Sequence, residues 1–229
     1  RRNAADYLDT YRRGQLPVEW LPTLRIKADK AGIDFVCTAY DRWGVHQLER
    51  YVRYLKIASF ENGDLDLLHY AAGHTPQLIV STGMTNQHDV WNIITATGGK
   101  LAYLLHCVSA YPTPYEDAKL FAMDDLVYDA QPPTLVGLSD HSIGIAVPIA
   151  AVALGARCIE KHVTDDRSRQ GPDHPFALEL PEFRQMVEGI RAVELAIRDD
   201  RGIKEPQESE KPMMKYRVIT ASKERNHET

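Results

Sequence analysis

The stretch "TLVGLSDHSIGIAVPIAAVALGARCIEKHVT", Thr134 to Thr164, holds one complete strand–helix–strand pattern. The apolar run "TLVGL" closes in Ser139, Asp140 and His141. "IGIAVPIAAVALGA" is small and apolar on nearly every face, which predicts a tightly packed helix within Ile143–Gly155, with Pro148 tolerated in its first turn if the helix begins near Ala146. "RCIEKHVT" is a second β-rich run, closing in Glu160, Lys161 and His162. Strands alternating with helices imply parallel pairing through right-handed crossovers.

The same rhythm runs upstream. "IDFVCTAY", "YLKIASFE", "QLIVSTGM" and "LAYLLHCVS" read as strands, apolar on both faces as helix-covered strands are. The segments around Trp43–Tyr54, Asp64–Ala72 and Asn86–Thr97 read as helices. "PTPYEDAKLFAMDDLVYDAQPP", after Tyr111, reads as a long loop with a short helix. An open doubly wound sheet accommodates six such units, whereas a closed barrel wants eight; periodicity leaves both open. Downstream, Phe183, Met186, Val187, Ile190, Val193 and Ile197 recur at helical spacing, with Leu180-Pro181 as a start and Gly202 as a stop. The polar remainder, 203–229, reads as a linker or tail without its own core.

A net charge of -5 gives no footprint for nucleic acid, and no apolar run reaches the length of a membrane span. "RRNAADYLDTYRR" has no signal-peptide apolar region. Cys37, Cys107 and Cys158 lie in strand-like runs without CxxC spacing, which predicts buried thiols in a reducing cytoplasm. Glycine-rich nucleotide fingerprints are absent from the sequence.

In parallel folds, sites gather at the carboxyl ends of strands. Those ends carry Thr38; Lys56, Ser59 and Glu61; Ser81 and Thr82; His106 and Ser109; Ser139, Asp140 and His141; Glu160, Lys161 and His162. His141 and His162 close neighbouring strands, and imidazole nitrogens suit a divalent transition metal. Two histidines and water leave open positions, as in a catalytic metal site. His106, inside "LLHCVS", is a third candidate that can equally point outward. Lys56 with the serines suits an anion, and "STGM", between a strand and a helix, offers backbone N–H groups to it or a plain helix cap. "DDRSRQGPDHPF", Asp165 to Phe176, is a loop whose Asp173 and His174 can reach the mouth of the site.

Taken together, "KIASFE", "LIVSTGM", "LLHCVSAYPTPYEDAKL", "GLSDHSIGIAVPIAAVALGARCIEKHVT" and "GPDHPFALELPEFRQMV" resemble the sialic acid synthase family, in its order, from about Ile33 to Ile197. "KIASFE" is similar to the pseudaminic acid branch and "GPDH" to the sialic and legionaminic acid branches. The resemblance implies an α/β fold, a TIM-type (β/α)8 barrel followed by a small antifreeze-like domain. Within it, 1–202 would be the barrel domain without its first two strands, and 203–229 the linker towards the antifreeze-like domain. It implies condensation of phosphoenolpyruvate with an N-acetylated amino sugar to a nonulosonic acid and phosphate, in a cytoplasmic homodimeric transferase using manganese or magnesium.

Carried over residue by residue, the resemblance places His141 and His162 on the metal ligands and Glu61 on the acid/base carboxylate. Lys56, Ser59, Ser81 and Ser139 fall on phosphoenolpyruvate positions, with Thr38 facing the same ligand. Ser109 stands where some members carry Asn, and Tyr111 and Asp173 fall on acceptor-sugar positions. A remnant that binds metal and anion without turnover, and a synthase acting on a phosphorylated sugar, are the alternatives; the second lacks an extra basic cluster.

Overall fold

The computed structural model describes residues 14–198 and 204–218, in two units, 1–196 and 197–229. In the first unit, a short 3-10 turn leads into α1 (Leu21–Ala31), followed by β1 (Val36–Thr38), α2 (Arg42–Leu48), β2 (Tyr54–Ile57) and α3 (Leu65–His74). Then come β3 (Gln77–Ser81), α4 (Gln87–Thr97), β4 (Leu101–Cys107), α5 (Ala122–Ala130), β5 (Leu135–Asp140), α6 (Ala146–Ala153) and β6 (Ile159–Lys161). The two-residue strands β7 (Val163–Thr164) and β8 (Leu178–Glu179) pair with each other, and α7 spans Leu180–Ala196.

The six strands form one parallel sheet in the order β1-β2-β3-β4-β5-β6. A doubly wound sheet reverses its strand order at a switch point, whereas a strictly sequential order belongs to barrel winding. The sheet is also curled. Lys56 on β2 and Glu160 on β6 stand four strands apart, yet their charged ends lie 3.4 Å from each other. In a flat sheet, four spacings of about 4.8 Å would hold their backbones about 19 Å apart, beyond the reach of the two side chains.

Side chains alternate across each strand, so the two faces differ. The convex face carries Leu55, Ile57, Leu78, Val80, Leu104, Val136 and Leu138, which pack on Val45, Leu68, Ile93, Met123, Leu126 and Ala151 of the helices. The concave face carries Lys56, Ile79, Ser81, Leu105, Cys107, Ser139 and Glu160. The concave face therefore mixes apolar Ile79 and Leu105 with polar and charged side chains, a correction to the reading of two apolar faces. Cys107 is buried, whereas Cys37 and Cys158 are half-buried on or beside the sheet's outermost strands; all three are free thiols.

Local chemistry sets most boundaries. The Asp64 side chain accepts from the Leu67 N–H at 2.9 Å and starts α3. Asn86 and Asp89 form a reciprocal capping box that starts α4. Helix α6 begins at Ala146, which leaves Pro148 in its first turn. The helix expected over Trp43–Tyr54 stops at Leu48, because Val52 turns into the core and Tyr54 is taken up by the β2 ladder opposite Val36 and Gln77. The last helix ends at Ala196, short of Ile197; the expected stop at Gly202 lies outside the described residues. In the second unit, Glu208–Tyr216 forms 3-10 turns whose residues are all exposed.

Gly137, on the concave face of β5, marks a close approach. A Cβ there would lie 2.3 Å from the Cys158 carbonyl oxygen, which accepts the ladder hydrogen bond from Leu138, and 2.8 Å from Leu105. Gly137→Ala is expected to force β6 off β5 and cost about 1–3 kcal/mol of stability, as overpacking does. Urea unfolding checks this; an unchanged midpoint would show that the β5–β6 contact yields freely.

Candidate active site

Lys56 is the anchor of the concave face. It is almost fully buried, and its ammonium donates to the Ile57 carbonyl at 3.2 Å besides facing Glu160. Thr38, its ladder partner on β1, lies half-buried on the same face. The loop after β2 carries Ser59, whose hydroxyl accepts from the Gly83 N–H at 3.0 Å. A Cβ on Gly83 would lie 2.2 Å from the Ser109 hydroxyl and 2.7 Å from that of Ser59. The loops after β2, β3 and β4 therefore meet at a point where only glycine fits, bringing Ser59 and Ser109 together. Ser81 ends β3 with a buried hydroxyl that has no partner among the described residues, and Ser139 is buried on β5 opposite Cys107 and Glu160. A buried hydroxyl without a partner beside a buried ammonium suits an anion's oxygen atoms.

Glu61 also has a buried, unpartnered oxygen, Oε2. Burial pushes its carboxyl above the usual glutamate range; its own backbone N–H and the Lys56 charge pull the other way without cancelling the effect. Next to it, Asn62 is buried and donates to the carbonyls of Ser81 (3.0 Å) and Gly83 (3.1 Å). It ties the loop that bears Ser59 and Glu61 to the end of β3 and the Gly83 turn.

The second half of the site is a group of rings. The centroids of His141 and His162 lie 5.3 Å apart. Tyr111 lies 4.2 Å from His141 and 6.2 Å from His162, and Phe176 lies 5.0 Å from His162 and 5.8 Å from Tyr111. His141 Nδ1 faces the Val108 carbonyl at 3.0 Å. A carbonyl only accepts, so Nδ1 holds the proton and Nε2 of the neutral ring presents its lone pair. Burial lowers the His141 pKa, but hydrogen bonds to Cys107 and Val108 outweigh it and leave a net rise. For His162, burial wins over the Asp173 charge, and the net shift is downward. Burial pushes the Cys107 thiol up, but hydrogen bonds to His141, Ser59 and Ser139 bring it below its usual value.

The structure thus brings Lys56, Ser59, Ser81, Ser109 and Ser139 to the strand ends of one face, with Thr38 beside them and Glu61 on the loop after β2. Tyr111, His141 and His162 share the ring cluster, and Asp173 Oδ2 stands 3.5 Å from His162 Nδ1. Other strand-end polar residues point away. His106 sits on the convex face with Nε2 2.8 Å from the Ala118 carbonyl, so it anchors the long loop and is no metal candidate. His174 turns from the mouth to Thr164, 2.7 Å from its hydroxyl. Asp140 and Lys161 pair on the convex side.

Among the described residues, no three His, Cys, Asp or Glu side chains converge as a metal cluster. The candidate is therefore a two-histidine site with open positions, and the available His141 Nε2 fits that use. Sequence reasoning missed Asn62, Gly83, Cys107 and Phe176. Gly83 stood in the quoted "STGM" and Phe176 in "GPDHPF", but only the fold shows their contacts.

A family model described as the NeuB family matches residues 1–202. The chain is 38% identical over 194 residues to N,N'-diacetyllegionaminic acid synthase of Legionella pneumophila, covering 81% of this chain and 53% of that protein. It is 34% identical over 220 residues to pseudaminic acid synthase of Helicobacter pylori, covering 93% and 62%. The chain thus spans between half and two thirds of the length of these relatives. A crystal structure of N-acetylneuraminic acid (sialic acid) synthetase from Leptospira borgpetersenii, in complex with citrate, superposes with a TM-score of 0.82 at 31% identity, covering 93% of this chain and 75% of that one.

The Glu61 environment has a measurable consequence. Between the ordinary glutamate pKa of about 4.3 and the raised folded value, the native state holds more protons than the unfolded chain, so this group's contribution to stability falls as pH rises through that window. Glu61→Gln is expected to be more stable than the parent near neutral pH and to lose that advantage below about pH 4. Urea unfolding at the two pH values checks it; an advantage independent of pH would refute the assignment.

Proposed function

The chain belongs to the NeuB family, and on that premise we propose that it condenses phosphoenolpyruvate with an N-acetylated amino sugar to give a nonulosonic acid and phosphate. The observation that carries this reading is the buried Lys56 ammonium on the same concave face as the unpartnered Ser81 hydroxyl and the Ser59–Ser109 contact, at the strand ends that also carry the histidine pair. Phosphoenolpyruvate is a compact multivalent anion, and Lys56 with Ser59, Ser81, Ser109 and Ser139 supplies a point charge and hydroxyl donors for it. Thr38 borders the same cradle. Tyr111 and Asp173, beside the two histidines, are the contacts for the acceptor sugar.

In the reaction, carbon 3 of phosphoenolpyruvate forms a bond to the acceptor's aldehyde carbon. Water adds at carbon 2, and the tetrahedral intermediate breaks its carbon–oxygen bond to release phosphate. Glu61, whose burial favours its protonated form, gives a proton to the aldehyde oxygen and as carboxylate takes one from the adding water. Lys56 and the serines hold the developing phosphate charge. His141 and His162 would hold a divalent manganese or magnesium ion, which would supply Lewis-acid polarisation of the aldehyde. The relatives named as legionaminic and pseudaminic acid synthases support an acceptor of the N-acetylated amino-sugar class.

Mass spectrometry of reactions with phosphoenolpyruvate, manganese and a panel of N-acetylated amino sugars tests this. A nonulosonic acid with matching phosphate release is expected. Glu61→Gln should lower kcat by about 10²–10⁴ while phosphoenolpyruvate still binds. Lys56→Met should instead abolish detectable phosphoenolpyruvate binding in calorimetry. Full turnover by Glu61→Gln, or unchanged binding by Lys56→Met, would overturn the assigned roles.

A further inference from the structure

We infer that the buried Asp140–Lys161 ion pair, on the far side of the sheet, is the positioning element that brings His141 and His162 together as one metal-binding pair. The inference rests on the metal role proposed for those two histidines. Asp140 and Lys161 are ladder partners at the last register position of the neighbouring strands β5 and β6. Lys161 Nζ lies 2.6 Å from Asp140 Oδ2, and their side chains are only 2% and 3% exposed. His141 and His162 follow immediately after the last residue of each strand. Period-two alternation therefore sends both rings to the concave face whenever the two charges meet on the convex one. A one-residue slip of β6 would turn His162 outward and put Lys161 in its place.

Backbone hydrogen bonds from the Arg157 N–H to the Val136 carbonyl and from the Leu138 N–H to the Cys158 carbonyl, each 2.8 Å, hold the start of that register, and the ion pair closes its end. β6 contributes three residues, Ile159–Lys161, and lies at one end of the six-strand order. The ion pair is reinforced on both sides of His141. The Ser142 N–H donates to Asp140 Oδ1 at 3.0 Å, the Ser142 hydroxyl donates to Asp140 Oδ2 at 3.0 Å, and Lys161 also donates to the Ser142 carbonyl. Residues 140 and 142 are thus clamped to Lys161 behind the sheet, and the residue between them faces forward. The His141 carbonyl in turn accepts from the Thr113 N–H at 3.0 Å. Buried ion pairs of this kind seldom add net stability over apolar replacements of similar volume, and their best-attested use is to fix register. Here the register they fix is the spacing of the two imidazoles.

The double variant Asp140→Leu with Lys161→Met removes both charges and leaves neither unpaired. It is expected to keep its thermal midpoint close to the parent's but to weaken Mn(II) binding, titrated by electron paramagnetic resonance on the metal alone, by about 10–100-fold, the range seen when groups behind metal ligands are removed. Phosphoenolpyruvate binding without metal, measured by calorimetry, should stay within about twofold, because Lys56, Ser59, Ser81 and Ser109 stand on or after β2, β3 and β4 and only Ser139 adjoins the pair. A merely structural role would weaken both ligands together and overturn the inference. Parent-like Mn(II) affinity in the double variant would do the same while leaving the two-histidine site standing. No Mn(II) binding by the parent chain would instead remove the metal role itself, and this inference with it. Should the double variant not fold, Ser142→Ala decides. It takes one hydroxyl from the clamp, and a fall in Mn(II) affinity of about threefold or more supports the inference, whereas an unchanged affinity overturns it.

Discussion

The curl of the sheet is the constraint on which the rest depends. Six parallel strands wound in sequential order bend until Lys56 of β2 meets Glu160 of β6. The helices impose the bend from outside by covering one face with a continuous apolar core. On the inside, curvature shortens the distance between non-neighbouring strands. Loops after β2, β3 and β4 then meet at Gly83, and the rings after β4, β5 and β6 meet around His141. A flat sheet with the same residues at the same strand ends would spread them along its edge and bring no such groups together.

Alternation then decides which polar residues belong to the site. Strand ends were rich in charge and hydroxyl groups, but part of that richness faces the helices. His106 holds the long loop, and Asp140 with Lys161 clamps two strands. Their neighbours Cys107, His141 and His162 face the other way. Adjacent residues of similar chemistry thus divide into support and site by parity alone.

This is also why the sequence was legible in some places and opaque in others. The βα rhythm, the caps at Asp64 and Asn86 and the first turn at Ala146 follow from local rules that depend on a few neighbouring residues. Lys56, Ser81 and the two histidines could be named because each closes an apolar run. Facing could not be read, because parity does not carry from strand to strand by counting: the β3–β4 register shifts between Leu78 and Ile79. The early end of α2 depends on where Tyr54 finds a ladder partner, which is a tertiary fact. Phe176 and Asp173 reach the histidines only because the two-residue pairing of β7 with β8 folds their loop back, and two residues leave no periodic signal.

The two lysine–carboxylate pairs of this sheet show how one interaction serves two ends. Lys161 and Asp140 are both sealed from water, and Asp140 is further held by Ser142. Separating them would strand a charge in a low-dielectric interior, so they stay together and act as a fixture. Lys56 is equally buried, but Glu160 is about half exposed. Glu160 can turn to solvent at little cost, since water takes over its hydration, while Lys56 cannot leave. Under the proposed function, an incoming phosphoenolpyruvate would take the place of the Glu160 carboxylate at the buried Lys56 ammonium. In the reading proposed for this site, that asymmetry of exposure separates a pair that opens for substrate from a pair that holds the frame.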